Sequence, residues 1–248
     1  MYKILLLLHK IQTFNYLHLM NRRILYLLVA STLSFFSCKP KSNEADRWST
    51  IYKNAYSNND YITAIVALNQ LVIIDTANAA AYYDSLAYYS IKKIKNYDAG
   101  KKYTDIGLKL NPNNAQLLEY KGIFLGSENK IEEAKAYIQK AYKNSGLNKH
   151  KYMYASLSFT TDNNLEAYIK TIDEILYSNS KPEKFEANVD AGTTQMVDLK
   201  ASCYLDKAKI ALNSNQIKLS LLYLDSALIL TPNFQEALFY KEKITTGK

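Results

Sequence analysis

Small residues return along this chain at a fixed interval. Gly100 and Ala134 stand 34 residues apart, and so do Gly107 and Ala141. Further on, Ser220 and Ala227 occupy the same two slots, and Pro232 repeats the place of Pro112. An earlier stretch, "NNDYITAIVALNQLVIIDTAN", puts Ala64, Leu71 and Thr76 there. A recurrence of this length marks a stack of supersecondary units, none of which can bury its apolar face alone. Within a unit the apolar period is helical: Ile131, Ala134, Ile138 and Ala141 fall at i, i+3, i+7 and i+10. Only seven glycines and four prolines occur in 248 residues, too few for the many turns of a sheet-rich fold. An all-α chain of helices joined by short connections follows.

These residues resemble the tetratricopeptide repeat, a 34-residue helix–turn–helix unit with an aromatic at position 4, small residues at 8, 20 and 27, and proline at 32. Unit 45–78 has Trp48, Tyr61 and Ala64 in register. Unit 81–114 has Tyr97, Gly100, Gly107 and Pro112, and unit 115–148 has Gly122, Ala134 and Ala141. Unit 201–234 has Tyr204, Ala208, Ser220, Ala227 and Pro232. The resemblance implies a right-handed superhelical solenoid of antiparallel helix pairs. Residues 235–245 would form its C-terminal capping helix.

The pattern departs from the family in three places. Tyr88 stands where a small residue is usual, and Lys121 where leucine is usual. Ala64 and Gly100 are 36 apart, which a slipped first helix in the second unit would explain together with Tyr88. From Ala134 to Ser220 is 86 residues, two periods with 18 to spare. A degenerate fourth hairpin fits 149–177. The surplus then falls at 178–195, which holds Pro182 and Gly192, lacks helical periodicity and reads as an insertion loop.

The first 37 residues read as targeting sequence. Arg22 and Arg23 precede an apolar run, Ile24 to Ser37, that is too short to span a bilayer. Met20 gives a start of more conventional signal length. The boundary "SFFSCK" resembles the lipobox of bacterial lipoproteins, with Ser37 before the cut, although Phe35 and Phe36 replace the usual leucine and small residue. The resemblance implies lipidation of Cys38, attachment to a bacterial membrane (the outer membrane, periplasmic face, in first place), and a polar linker over 38–44. The formal charge is +8, but residues 1–37 hold four bases and no acid, leaving 27 bases against 23 acids in the rest. Those charges are interspersed along the chain, unlike the single basic face that nucleic acid selects.

Nothing in the sequence assembles a catalytic or metal site. After the leader one histidine remains, His150, expected at the surface. Cys203 reads as a structural thiol, and no glycine-rich phosphate loop or cofactor motif occurs. The family binds protein or peptide segments along first-helix positions that line a concave groove. Carried over, these include Lys53 and Tyr56 in the first unit, Tyr82, Tyr89, Lys92 and Lys93 in the second, and Gln116, Glu119 and Ile123 in the third. The residues that clamp a chaperone's C-terminal carboxylate are absent: Ser49, Lys53, Leu86, Gln116 and Tyr120 hold those places. Two readings follow: a membrane-tethered interaction scaffold without catalysis, or a glycan-binding lipoprotein that stacks sugars on exposed Tyr82 and Tyr89.

Overall fold

The computed structural model describes residues 41–190 and 193–247, so the leader and Cys38 lie outside the described residues. Eleven helices are described. They run α1 (Lys41–Ser57), α2 (Tyr61–Ile74), α3 (Ala79–Tyr88, prolonged by a π-helical turn Tyr89–Lys93), α4 (Tyr97–Leu110), α5 (Ala115–Ser127) and α6 (Ile131–Ser145). After α7 (Asn148–Asp162) and α8 (Leu165–Leu176) come strands β1 (Lys184–Asp190) and β2 (Thr193–Asp198). Helices α9 (Leu199–Asn213), α10 (Ile217–Leu230) and α11 (Gln235–Thr246) complete the chain. Lys41 to Glu44, read from sequence as linker, belong to α1, where Glu44 lies in the first turn and complements the helix dipole.

Each helix pair turns at one left-handed residue: Asn59, Lys95, Asn129, Asn163 and Asn215, with φ between 49° and 61°. Asparagine tolerates this conformation better than most residues. The spacings of these turns are 36, 34, 34 and 52 residues, so the backbone carries the same period as the small residues. Asparagine and aspartate also start the helices. The side chains of Asp60, Asn96, Asn114 and Asn164 each accept a backbone N–H at the head of α2, α4, α5 and α8.

Both irregular spacings have a structural cause. The two extra residues of the second unit lie in its first helix, where Ile94 N–H bonds Tyr89 C=O five residues back. Such a π turn absorbs an insertion without breaking the helix. It brings Ile91 onto Gly100, where a Cβ would stand 2.4 Å from Ile91 Cγ1. The 18-residue surplus is not a plain loop. It contains an antiparallel hairpin in which Phe185 pairs Val197 and Ala187 pairs Gln195. Ala187 and Val197 are buried, the latter completely, so one face of the hairpin enters the core. Lys121 reaches Asp105 of α4 at 2.7 Å, which is how a lysine is tolerated in a leucine slot.

Two buried polar clasps bind consecutive units. Asp206 of α9 accepts the hydroxyls of Tyr152 (2.5 Å) and Tyr168 (2.8 Å) from α7 and α8. Burial pushes its carboxyl above the ordinary range, against the pull of those two hydroxyls. The second clasp overturns the surface placement of His150, which is 1% exposed. His150 Nε2 lies 2.8 Å from Glu119 Oε2, and its Nδ1 lies 2.7 Å from Ser145 Oγ. Lys149 Nζ is 2.6 Å from the same carboxylate. Burial works to raise the Glu119 carboxyl, but His150 and Lys149 outweigh it and hold the group below its usual value. These partners replace water around the imidazole, so its burial leaves no ring nitrogen unpaired.

Asp206→Ala strands two buried hydroxyls and is expected to cost about 2–4 kcal/mol, read as a lower urea midpoint at unchanged slope. The two clasps carry opposite pH signatures. The contribution of Glu119, whose folded value is depressed, is complete above the unfolded value of about 4.3 and lost as pH falls through the folded one. The stability gap between wild type and Glu119→Gln therefore widens as pH rises over this range, to about 2 kcal/mol. Asp206 has a raised folded value, so the gap between wild type and Asp206→Asn moves the other way as pH rises. Urea titrations across the acid range measure both.

Candidate functional site

The hairpin lies on the first-helix side of the stack: Glu186 reaches α3, Phe185 borders α5 and packs on Tyr152 of α7, and both strands contact α9. Its base is closed by Leu199 N–H bonding Glu183 C=O. The Glu183 carboxylate accepts the N–H groups of Asn148 and Lys149, both at 2.9 Å, and so caps α7. At the other side Gln195 accepts Gln235 N–H at the start of α11 and donates to Asn233 C=O. Phe185 meets Tyr152 edge to face with ring centroids 5.0 Å apart. Glu186 reaches over to Lys92 on the π turn of α3. Burial works to raise the Glu186 carboxyl, but Lys92 and the Thr194 hydroxyl prevail and lower it.

The hairpin leaves a cavity of about 220 Å³ on the α5 side of Phe185. Gly122, Ile123 and Gly126 of α5 line one wall, and Met153 and Leu157 of α7 another. Two glycines four residues apart on α5 make this hollow. Gly122 is filled from beneath by Ile138, which would stand 2.6 Å from an added Cβ. At Gly126 an added Cβ would meet Ala134 Cβ and Leu157 Cδ2 at 4.0 Å, an ordinary contact with room for a methyl group.

The residues assigned to the groove from sequence divide into two sets. Lys53, Tyr56, Lys93 and Ile123 are exposed. Lys93 lies over the rings of Tyr61 (5.1 Å) and Tyr88 (5.7 Å), and the Tyr88 phenol, by its charge, leads the causes that raise the ammonium value. The others are engaged within the fold. Lys92 binds Glu186, Gln116 donates to the Tyr120 hydroxyl at 2.8 Å, and Glu119 belongs to the His150 clasp. Tyr82 donates to Asp75 at 2.7 Å, and its phenol is pushed up to about 12 by burial and by that carboxylate.

Tyr89 is 4% exposed with its hydroxyl 2.8 Å from that of Tyr52. It is no stacking platform for a sugar. Counted from the start of α3, Tyr89 matches the buried Leu125 of α5, and it lies inward on Leu68, Leu71 and Leu86. Cys203 is buried and free, and burial pushes its thiol well up. Among the described residues, no three His, Cys, Asp or Glu side chains converge as a metal site requires.

Sequence reasoning missed Glu183, Phe185 and Glu186. Their signal was present: "KFEANV" alternates polar and apolar residues, the period of a half-buried strand.

No protein-family model matches the chain, and no curated protein matches it. Solved structures do. A tetratricopeptide repeat protein from Parabacteroides merdae superposes with a TM-score of 0.60 at 12% identity, over 82% of this chain and 73% of that one. PilW, a type IV pilus biogenesis factor, gives 0.54 at 14% identity over 89% and 92%. YrrB, described as having an unusual peptide-binding site, gives 0.53 at 14% over 82% and 98%. With five consecutive helix pairs, their periodic left-handed turns and these superpositions, the chain has the tetratricopeptide-repeat fold.

Proposed function

We propose that this protein is a non-enzymatic interaction scaffold of the cell envelope, held to a membrane by lipid on Cys38 and binding a protein segment on its concave face. One observation carries the binding half: Lys53, Tyr56, Lys93 and Ile123 lie open on first helices α1, α3 and α5, beside an apolar cavity. Exposed aromatic and apolar groups bordered by lysine suit an acidic segment with apolar anchors. Neighbours of the same fold point the same way. YrrB is described by its peptide-binding site and PilW by its part in pilus biogenesis. The tether rests on the lipobox-like "SFFSCK", and several acyl chains would make attachment lasting where a single short chain holds reversibly.

A photo-crosslinking amino acid at Tyr56 or Ile123 in the native host is expected to give a discrete protein adduct. The double reversal Lys53→Glu/Lys93→Glu is expected to reduce its yield by about fivefold or more. The absence of any adduct at both positions overturns the scaffold reading. Metabolic palmitate labelling is expected in wild type and lost in Cys38→Ala. Equal labelling of the two removes the anchor.

A further inference from the structure

The hairpin offers more than shape to the groove: it offers an unfinished sheet. In an antiparallel ladder, residues alternate between exchanging hydrogen bonds with the partner strand and pointing their backbone groups away from it. The bond from Leu199 N–H to Glu183 C=O sets the phase. With the observed register, Phe185–Val197 and Ala187–Gln195 are the bonded pairs, while Lys184, Glu186 and Asn188 turn their N–H and C=O groups outward from β1. The equivalent outward group on β2, Asp198 N–H, is taken by Thr231 Oγ1 at 3.1 Å. On β1 no described residue hydrogen-bonds the outward N–H or C=O of Lys184 or Glu186. The α10–α11 connection thus covers the Asp198 end of the β2 edge and holds the Gln195 side chain, while the outward groups of exposed Met196 meet no described partner. The β1 edge is open toward α3 and α5.

We propose that an extended, acidic segment of a partner protein adds to β1 as a third strand and seats one apolar side chain in the cavity between α5 and α7. The residue facing Phe185 on an added strand lies about 5 Å from it on the same face of the sheet. That face points to Gly122, Gly126, Met153 and Leu157. Main-chain bonds to an open edge supply affinity, and the alternate side chain entering a pocket supplies selectivity. The charges around this edge favour an acidic strand. Lys92 and Lys95 both lie near enough to Glu186 to lower its carboxyl, and Lys184 is exposed on β1 opposite Asp198, so three cations stand along this edge against two acids. The proposal rests on the concave face being the protein-binding surface and specifies where on it the segment binds.

Selection of phage-displayed random dodecapeptides on the purified full-length protein tests this, followed by hydrogen exchange and affinity measurement. Selected peptides are expected to carry an apolar residue flanked by Asp or Glu, and to slow exchange of the Lys184 and Glu186 amides. Glu186→Pro removes one outward N–H without touching the ladder, and Gly126→Leu fills the cavity. Each is expected to weaken binding about tenfold or more. Glu186→Gln keeps the amide and removes an acid, and is expected to bind more tightly; Glu166→Gln, exposed on α8, is expected to bind as wild type.

Three results overturn the proposal. Peptides that bind all variants equally and protect α1 and α3 instead would place the segment on the helices and leave the scaffold reading standing. Failure to select any saturable peptide removes the strand site outright. Concentration-dependent self-association in sedimentation, lost in Glu186→Pro, would give the edge to a second copy of this chain.

Discussion

The stack depends on how closely its helices approach. Where Gly122 faces Ile138, and Gly100 faces Ile91, an added Cβ would fall 2.6 Å and 2.4 Å from isoleucine carbons. At this distance one helix uses the backbone of the other as its packing surface, and a whole side chain fits where a methyl group could not. The close approach fixes the spacing within each pair, and the pair then presents a continuous apolar flank to the next. It also creates the surface hollow. Gly126 lies one turn further along α5, where Ile138 no longer reaches, and lines the same hollow with Leu157 of α7.

Tyrosine gives this packing a direction. Its 22 copies invite an explanation from codon bias, but the fold uses many of them as core residues with a polar end. Tyr52 meets Tyr89 across the first unit boundary, and Tyr103 bonds Asn69 across a separation of 34 residues. Tyr152 and Tyr168 converge on Asp206. An aliphatic flank tolerates sliding by part of a turn, whereas a buried hydroxyl without its partner costs about 1–3 kcal/mol. These bonds therefore hold successive units in register, while the apolar contacts hold them together.

The repeat was legible because a close helix contact admits few residue types and recurs once per unit. Gly100, Ala134 and Ser220 expose that constraint directly in the sequence. The fourth unit was legible only through the remainder of the period, because Tyr168 and Ile175 stand at positions 20 and 27, where small residues are usual. The concave residues were harder. A register count from 81 assigns Tyr89 and Lys92 to the groove, but α3 starts at Ala79, so Tyr89 takes an inward place, and Lys92, in the π turn, pairs with the hairpin's Glu186. His150 was misplaced for a different reason. A lone histidine reads as surface until its partners are known, and the repeat pattern places the neighbouring helices without showing that the Glu119 carboxylate and the Ser145 hydroxyl meet the ring.

The hairpin illustrates what a solenoid permits an insertion to do. Its two ends leave and re-enter the stack at the same junction, joined by the Glu183–Leu199 bond, and Asp198 goes on to cap α9. The helices on either side therefore keep their mutual packing, and the period resumes at Ala208 and Ser220 as if nothing had intervened. Each unit in such an array answers only to its neighbours, so the added residues did not have to satisfy the remaining pairs. They were free to cross the concave face toward α3. The result divides that face. The part over α7 and α9 is covered by a structured element of the chain itself, and the part along α1, α3 and α5 stays open. A partner therefore meets a groove that ends against a strand edge, and the chemistry of that boundary is backbone amide and carbonyl as much as side chain.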